Sequence, residues 1–142
     1  MGQNSESLVG TLNEITEKMK PFNYYRKNRF VVDFGTDDVK DFYVVSADYS
    51  GDILLVKFRN NEAFFASEYF ERNKMFDTVH IFLLNQTGEK MAMITFYGLE
   101  VEFFNQDAFN YNDNEAFCTE VGFKFKKVTH SNNTNKIEKD PQ

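Results

Sequence analysis

The stretch of sequence that decides the fold is FCTEVGFKFKKV, residues 117–128. Apolar side chains and one threonine occupy every second position, and most of the positions between them are polar or charged. The first set is Phe117, Thr119, Val121, Phe123 and Phe125, and the second is Cys118, Glu120, Lys124 and Lys126. Alternation with a period of two is typical of a β-strand that packs on one face and is exposed on the other. We therefore predict one long strand from Phe117 to Val128.

Shorter runs of the same kind precede it along the chain. Turn-forming residues separate two pairs of these runs, at 48–52 and 85–88, and predict two hairpins. The 17 Phe and 7 Tyr also favour a sheet, because aromatic side chains suit a pleated, half-buried surface. We predict a mainly β fold, an antiparallel barrel or sandwich of six to seven strands with one flanking helix and a short N-terminal helix. The runs are 30–34, 42–47, 53–58, 79–83 and 91–97.

The flanking helix is predicted between the two hairpins, over residues 61–73. Ala63, Ala66 and Phe70 share one helical face there, and Asn61 is placed to cap the first turn. We expect this helix to cover one opening or edge of the sheet. An irregular link is expected later in the chain, over residues 100–111.

The short N-terminal helix is predicted from a single apolar stripe. Leu8, Leu12, Ile15 and Met19 recur at helical spacing, and Pro21 ends the pattern. So short a helix is not stable alone in water, so its stripe must dock either on its own domain or on a neighbouring subunit. The sequence thus divides into an arm (1–27), a β-domain (28–128) and a polar tail (129–142).

Charge and hydropathy limit the partners. The formal net charge is −6, and residues 29–128 hold ten basic and seventeen acidic residues. This is the wrong sign for gripping a phosphate backbone, which needs clustered Lys or Arg. No run reaches the roughly 18 to 20 apolar residues that cross a bilayer, and no signal peptide is evident, so we expect no membrane anchor and synthesis in the cytoplasm of the cell that makes the protein.

Catalytic chemistry is poorly supported, and we expect neither an enzyme nor a metal or cofactor site. His80 lies mid-strand and is interpreted as a packed or hydrogen-bonded residue, and the single Cys118 as a small strand residue. The Asp- and Asn-rich segments 37–41 and 105–115 lack calcium-loop spacing and are interpreted as turns. A hydrolase built from carboxylates that meet in the fold is an alternative that spacing alone leaves open.

The order of elements in the C-terminal half resembles the tail-tube proteins of contractile-tailed phages, which are related to type VI secretion tube proteins. The resemblance rests on the strand 90–97 ending in Gly98-Leu99, the polar turn 112–115 and the alternating strand 117–128. Upstream, 28–34 is similar to the opening strand of that family.

The resemblance implies a structural protein of the virion tail that assembles into stacked, six-membered rings, contacts other tail proteins and conducts DNA without sequence-specific binding. Under this hypothesis we assign the subunit interface to the N-terminal stripe and to strand edges, and the lumen to acidic side chains. The interface candidates are Leu8, Leu12, Ile15, Met19, Tyr49 and Ile53, and the lumen candidates are Glu100 and Glu102.

Two alternatives remain at this stage. Baseplate, hub and tail-terminator proteins share the tail-tube fold, and the hairpin at 48–52 is short for a loop that would reach a next ring. A small β-barrel carrier of an apolar ligand would also fit the chain length and the aromatic content.

Overall fold

The computed structural model describes residues 24–132, which fold into seven β-strands and one α-helix. The mainly β prediction is confirmed, and both predicted hairpins form. A 3₁₀ turn (Asp41–Tyr43) precedes the second strand. The elements are β1 (Phe30–Asp33), β2 (Val44–Ser50), β3 (Ile53–Arg59), α1 (Ala66–Arg72), β4 (Met75–Leu84), β5 (Lys90–Gln106), β6 (Cys118–Lys124) and β7 (Lys127–Ser131).

All strand pairs in this part of the chain are antiparallel, in the order β1-β4-β5-β6-β3-β2, and β7 also pairs with β5. The sheet is open, so it is not a closed barrel. Its two halves instead face each other as in a sandwich. The Tyr49 ring of β2 meets the Phe96 ring of β5 at 5.1 Å between centroids, although two strands, β3 and β6, separate β2 from β5 in the sheet.

The 17-residue strand β5 belongs to both halves of the sandwich. Its first part lies between β4 and β7, and its last part pairs with β6 from Glu100 to Gln106. Gly98 lies at this change of partner with a φ of 63°, a conformation that side-chain-bearing residues rarely adopt. The predicted irregular link is therefore wrong up to Gln106. A β-bulge between Val101 and Phe103 shifts the alternation there, and this hid the strand.

The predicted single strand 117–128 is in fact two strands. The backbone N–H of Phe125 donates to the carbonyl of Asp52, and that of Lys126 donates to the carbonyl of Tyr97. The chain thereby crosses from the half containing β3 to the half containing β4. The alternation of side chains continues only to Lys126 and shifts by one residue in β7, where Val128 packs against the core. Strand β7 ends at Ser131, so its last three residues belong to the segment predicted as the polar tail.

The helix is shorter than predicted and begins at Ala66, not near Asn61. The Asn61 side chain accepts a hydrogen bond from the N–H of Ala63 in a turn, and Ala63 is exposed. The neighbouring Asn60 anchors the helix instead, because its side-chain oxygen accepts the N–H of Ala66 at 2.9 Å. Competition between two adjacent asparagines, each able to hold a turn, explains the error.

Aromatic side chains fill the space between the two halves of the sheet. Phe58, Phe70, Phe96 and Phe123 are fully buried. The Phe70 ring lies 5.2 Å from both Phe58 and Phe123, centroid to centroid, and so joins α1 to β3 and β6. The burial of these apolar rings is the main stabilising contribution to the fold.

Candidate assembly surface

The half-sheet made of β2, β3, β6 and the end of β5 has unpaired backbone on both of its outer strands. Among residues 24–132, β2 pairs only with β3, so no described strand pairs with the other side of residues 44–50. Strand β4 begins at Met75, opposite Glu100, and the Val101 N–H donates to the Lys74 carbonyl just before it. Beyond that bond, no strand of the described chain pairs with the outer side of β5 at 102–106. Unpaired strand edges are templates for pairing with another chain.

The two free edges have matching polarity. Successive strands of this half-sheet are antiparallel, so β2 runs opposite to the end of β5. A second copy placed beside the first would bring its β5 edge against β2. The two strands would run antiparallel, as all neighbouring strands of this half-sheet do. The arrangement favours continuation of the sheet from copy to copy, with the same two edges used at each contact.

The face of this half-sheet that points away from the core carries three rows of side chains that run across the strands. The middle row is apolar apart from Asp48, and both outer rows contain charged residues. The rows are Ser46, Lys57, Glu120 and Asn105; Asp48, Leu55, Gly122 and Phe103; and Ser50, Ile53, Lys124 and Glu100.

Charges on this outward face are nearly balanced. Asn105 Nδ2 donates to Glu120 Oε1 at 3.2 Å, and the Lys57 ammonium lies 4.0 Å from a carboxylate oxygen of Asp107. Lys124 is 3.9 Å from Asp52 in the β2–β3 turn. All of these pairs are substantially exposed, so each contributes little to stability. These pairs leave the outward face hydrated and without a strong electrostatic potential of either sign.

Phe103 covers the one glycine of the outward face. A Cβ atom built on Gly122 would lie 2.4 Å from the Phe103 ring, so the ring rests directly on the backbone of β6. Phe103 nevertheless keeps 37% of its surface exposed. The glycine is therefore required for this packing, and the ring forms the apolar centre of the face.

The predicted interface residues have different surroundings. The stripe Leu8, Leu12, Ile15 and Met19 lies outside the described residues. Ile53 is half-buried on the outward face, opposite Lys124. Tyr49 points into the sandwich, where its ring meets Phe96 and its hydroxyl lies 2.7 Å from Nε2 of His130 in β7. Tyr49 thus links the two halves of one copy. The assignment of Tyr49 and Ile53 to a subunit interface stays a prediction.

Both predicted lumen residues are exposed on β5. Glu100 is in an outer row of the outward face, opposite Lys124, and Glu102 is the extra residue of the β-bulge. The structure thus brings them to the same half-sheet and beside its free edge. Sequence reasoning missed the basic members of the face, Lys57 and Lys124, because strand register alone places them beside these acids.

His80 and two other titratable side chains, Tyr69 and Glu89, have structural contacts. Nδ1 of His80 lies 2.9 Å from Oγ1 of the buried Thr95, as the hydrogen-bonded interpretation predicted. Burial and the nearby Asp38 carboxylate raise the pKa of the Tyr69 hydroxyl. Hydrogen bonds from Thr87 and Asn85 lower the pKa of Glu89 in the β4–β5 turn.

Cys118 is buried, contrary to its predicted place on a polar face. It starts β6 beneath the 107–117 loop, where its N–H donates to Asp107 Oδ2 at 2.9 Å. Burial, followed by the negative charge of Asp107, raises the pKa of the thiol. A raised pKa reduces the thiolate fraction, and the thiolate is the reactive form.

We therefore predict that iodoacetamide alkylates Cys118 at least about tenfold more slowly in the folded protein than in the unfolded chain at the same mildly alkaline pH. Mass spectrometry of timed samples, with and without urea, measures both rates on the same single thiol. Equal rates would show that the thiol is accessible and would contradict the packing described here.

Within residues 24–132, no three His, Cys, Asp or Glu side chains are arranged to hold a metal ion. No helix of that same range is long and apolar enough to cross a membrane.

Comparison with solved structures gives the fold. The cap of the anti-feeding prophage, described as a tube-terminating cap, superposes with a TM-score of 0.64 at 14% identity, over 77% of this chain and 91% of the other. A chain of the PVC sheath-tube complex, an extracellular contractile injection system, gives 0.63 at 10% identity, over 82% and 97%. This chain has the fold of injection-system tube and cap proteins.

A type VI secretion protein also has a similar structure. Hcp1 from Salmonella typhimurium has a TM-score of 0.53 at 15% identity, over 72% of this chain and 86% of the other. No protein-family model matches the sequence, and no curated protein sequence is similar to it. The predicted resemblance to tail-tube and type VI tube proteins is thus confirmed at the level of structure.

Proposed function

We propose that this chain is a structural subunit of a phage tail or related injection particle and that its copies assemble side by side into a ring. The observation that carries the proposal is the pair of free, antiparallel edges on one half-sheet, at β2 and at residues 102–106 of β5. Pairing of β2 in one copy with β5 in the next would satisfy both edges and close a continuous sheet.

We propose that the ring contains six copies. One similar structure is the baseplate of the anti-feeding prophage, described as 6-fold symmetrised, with a TM-score of 0.59 at 12% identity. In such a ring the outward face of the half-sheet would line the passage. Four acidic side chains, Asp48, Glu100, Glu102 and Glu120, would then face or border it together with Lys57, Arg59 and Lys124.

We propose that DNA passes through the ring, as it would through a tail tube. A near balance of charge on the lining face supports passage without tight binding, because a polyanion is held by clustered Lys or Arg. On this face the basic side chains alternate with acidic ones across the strands.

The position within the particle has two candidates. The β2–β3 turn has only two residues, Gly51 and Asp52, so this end of a ring would present little chain to a further ring. Both tube and tube-terminating proteins are among the similar structures. A cap or terminator is therefore our second candidate.

A carrier of an apolar ligand has less support. Four clefts lined by residues between 28 and 117 have volumes of about 230 to 380 Å³ and lie at surface loops and strand ends. Phenylalanine rings occupy the centre of the sandwich, where a carrier would keep its cavity.

Sedimentation velocity and negative-stain electron microscopy of the purified full chain test the proposal. We expect closed rings with a mass of about 100 kDa for six copies of 16.7 kDa each. A strict monomer at the highest soluble concentration, with no rings in the images, would overturn it.

A further inference from the structure

The loop between β5 and β6, residues 107–117, presents aromatic side chains to solvent. Phe109 is 86% exposed and Tyr111 is fully exposed. The Phe109 ring stacks on Phe117, with 4.8 Å between centroids and 13° between planes. Two neighbouring exposed aromatic rings are unusual on a free surface and are enriched at protein interfaces.

The loop is held in one conformation by its own hydrogen bonds. At its base, Asp107 and Cys118 are joined by two bonds, one of them from the Asp107 N–H to the Cys118 carbonyl at 3.1 Å. Along the loop, side chains of Asn110 and Asp113 accept backbone N–H groups two residues on. A preorganised loop loses little conformational entropy on binding.

The loop carries negative charge that is only partly neutralised. Residues 107–117 include three acidic and no basic side chains. Asp107 is near Lys57, but Asp113 and Glu115 have no cationic partner among the described residues. A partner for this surface should therefore combine positive charge with groups that pack on aromatic rings.

Residues 24–29, which precede β1, have this chemistry. Their sequence is YYRKNR, with three basic and no acidic side chains, and Tyr24 is 85% exposed. The segment is fixed to the body, because the Arg29 guanidinium donates to the Gln86 carbonyl and the Tyr25 hydroxyl donates to Asn132. Within the described chain, the side chains of Arg26 and Lys27 form no ion pair.

The two segments flank opposite ends of β5. The basic segment lies at the β4–β5 turn, and the acidic loop follows the other end of the strand. Seventeen extended residues span up to about 55 Å. No hydrogen bond, ion pair or ring contact joins the two segments within residues 24–132, so their complementary surfaces are available to another molecule.

We propose that the 107–117 loop of one copy docks on the 24–29 segment of a second copy. Arg26 and Lys27 would lie over the Phe109 and Tyr111 rings, where cations are attracted to the ring faces, and would pair with Asp113 and Glu115. The two surfaces differ, so the contact is heterologous. Each copy keeps one free surface of each kind, and the contact propagates from copy to copy.

A charge-reversal cycle on the full chain tests this contact. One variant carries Asp113→Lys with Glu115→Lys, a second carries Arg26→Glu with Lys27→Glu, and a third combines all four. At low salt we expect each reversal alone to weaken association about tenfold or more, and the combined variant to recover to within about threefold of the unmodified chain. Sedimentation velocity gives the dissociation constants.

A matched control reverses two acids in other exposed turns, Asp37→Lys with Glu62→Lys, and changes the net charge by the same amount. We expect it to associate like the unmodified chain. Replacing both Phe109 and Tyr111 by Ser should weaken association about 30-fold, including at high salt where the charge effects are screened. Unchanged association in the single reversals, or no recovery in the combined variant, would overturn the proposal.

This inference is separable from the proposed ring. The residues changed in the cycle lie outside both β2 and the 102–106 edge of β5. Rings that form normally while all reversals leave association unchanged would overturn this contact alone. Recovery in the combined variant without any ring in electron micrographs would support the contact and count against the side-by-side ring.

Discussion

Replacing Phe70 with Ala should lower the free energy of unfolding by about 4 kcal/mol, because a fully buried phenylalanine leaves a large cavity when it is truncated. Phe70 is completely buried in α1. Its ring centroid lies within 6.2 Å of those of Phe34, Phe58, Phe64, Tyr69, Phe76 and Phe123. Urea unfolding followed by circular dichroism measures the loss.

The matched control is Phe42→Ala, which removes the same side chain from a site that is 69% exposed. We expect a change within about 0.5 kcal/mol there. A loss below about 1.5 kcal/mol for Phe70→Ala would mean that α1 does not pack between the two halves of the sheet. Small domains are stable by only 5 to 15 kcal/mol, so the expected loss is a large part of the total.

Local patterns in the sequence predicted the parts of the fold that depend on near neighbours. Both hairpins formed because each pairs adjacent runs through a short polar turn, at Gly51-Asp52 and at 85–89. The buried face of β6, with Thr119, Val121 and Phe123, followed directly from period-two alternation.

Features that depend on distant contacts were not predictable. The bulge at Glu102 interrupts the period-two alternation at the end of β5, so the sequence pattern there did not indicate a strand. Only pairing with β6 makes that segment a strand. The break at 125–126 was also hidden, because alternation persists up to Lys126 and shifts by one residue only in β7. What ends β6 is a pair of backbone hydrogen bonds, to residues 52 and 97, far away in sequence.

The candidate surface was predictable only in part, for the same physical reason. Glu100 and Glu102, the predicted lumen residues, are both exposed on β5, and their assignment to a lumen stays a prediction. Their neighbours Lys57, Glu120 and Lys124 come from two other strands, and the register of pairing decides which side chains meet. The Asp- and Asn-rich segment 105–115 was predicted as a turn from its composition, whereas the exposed aromatic rings of the 107–117 loop required the structure.

A proline placed in β2 should abolish ring assembly when it occupies a position whose N–H points to the free edge. Successive N–H groups of a strand point alternately to its two sides, so of the neighbours Ala47 and Asp48 one donates toward β3 and the other toward the free edge. At the free-edge position, proline removes a bond to the next copy and its ring obstructs the approaching strand. We expect a loss of about 3 kcal/mol per contact, or roughly 100-fold in affinity.

The two variants, Ala47→Pro and Asp48→Pro, are controls for each other. The one that breaks a bond to β3 should lower the free energy of unfolding. The other should unfold in urea like the unmodified chain while sedimenting as a monomer and giving no rings in electron micrographs. The decisive result is that loss of stability and loss of assembly occur in different variants. If proline reduced assembly only by destabilising the fold, the variant that unfolds more easily would be the one that loses its rings. Rings formed equally well by the stable variant would show that β2 is not the edge through which copies meet.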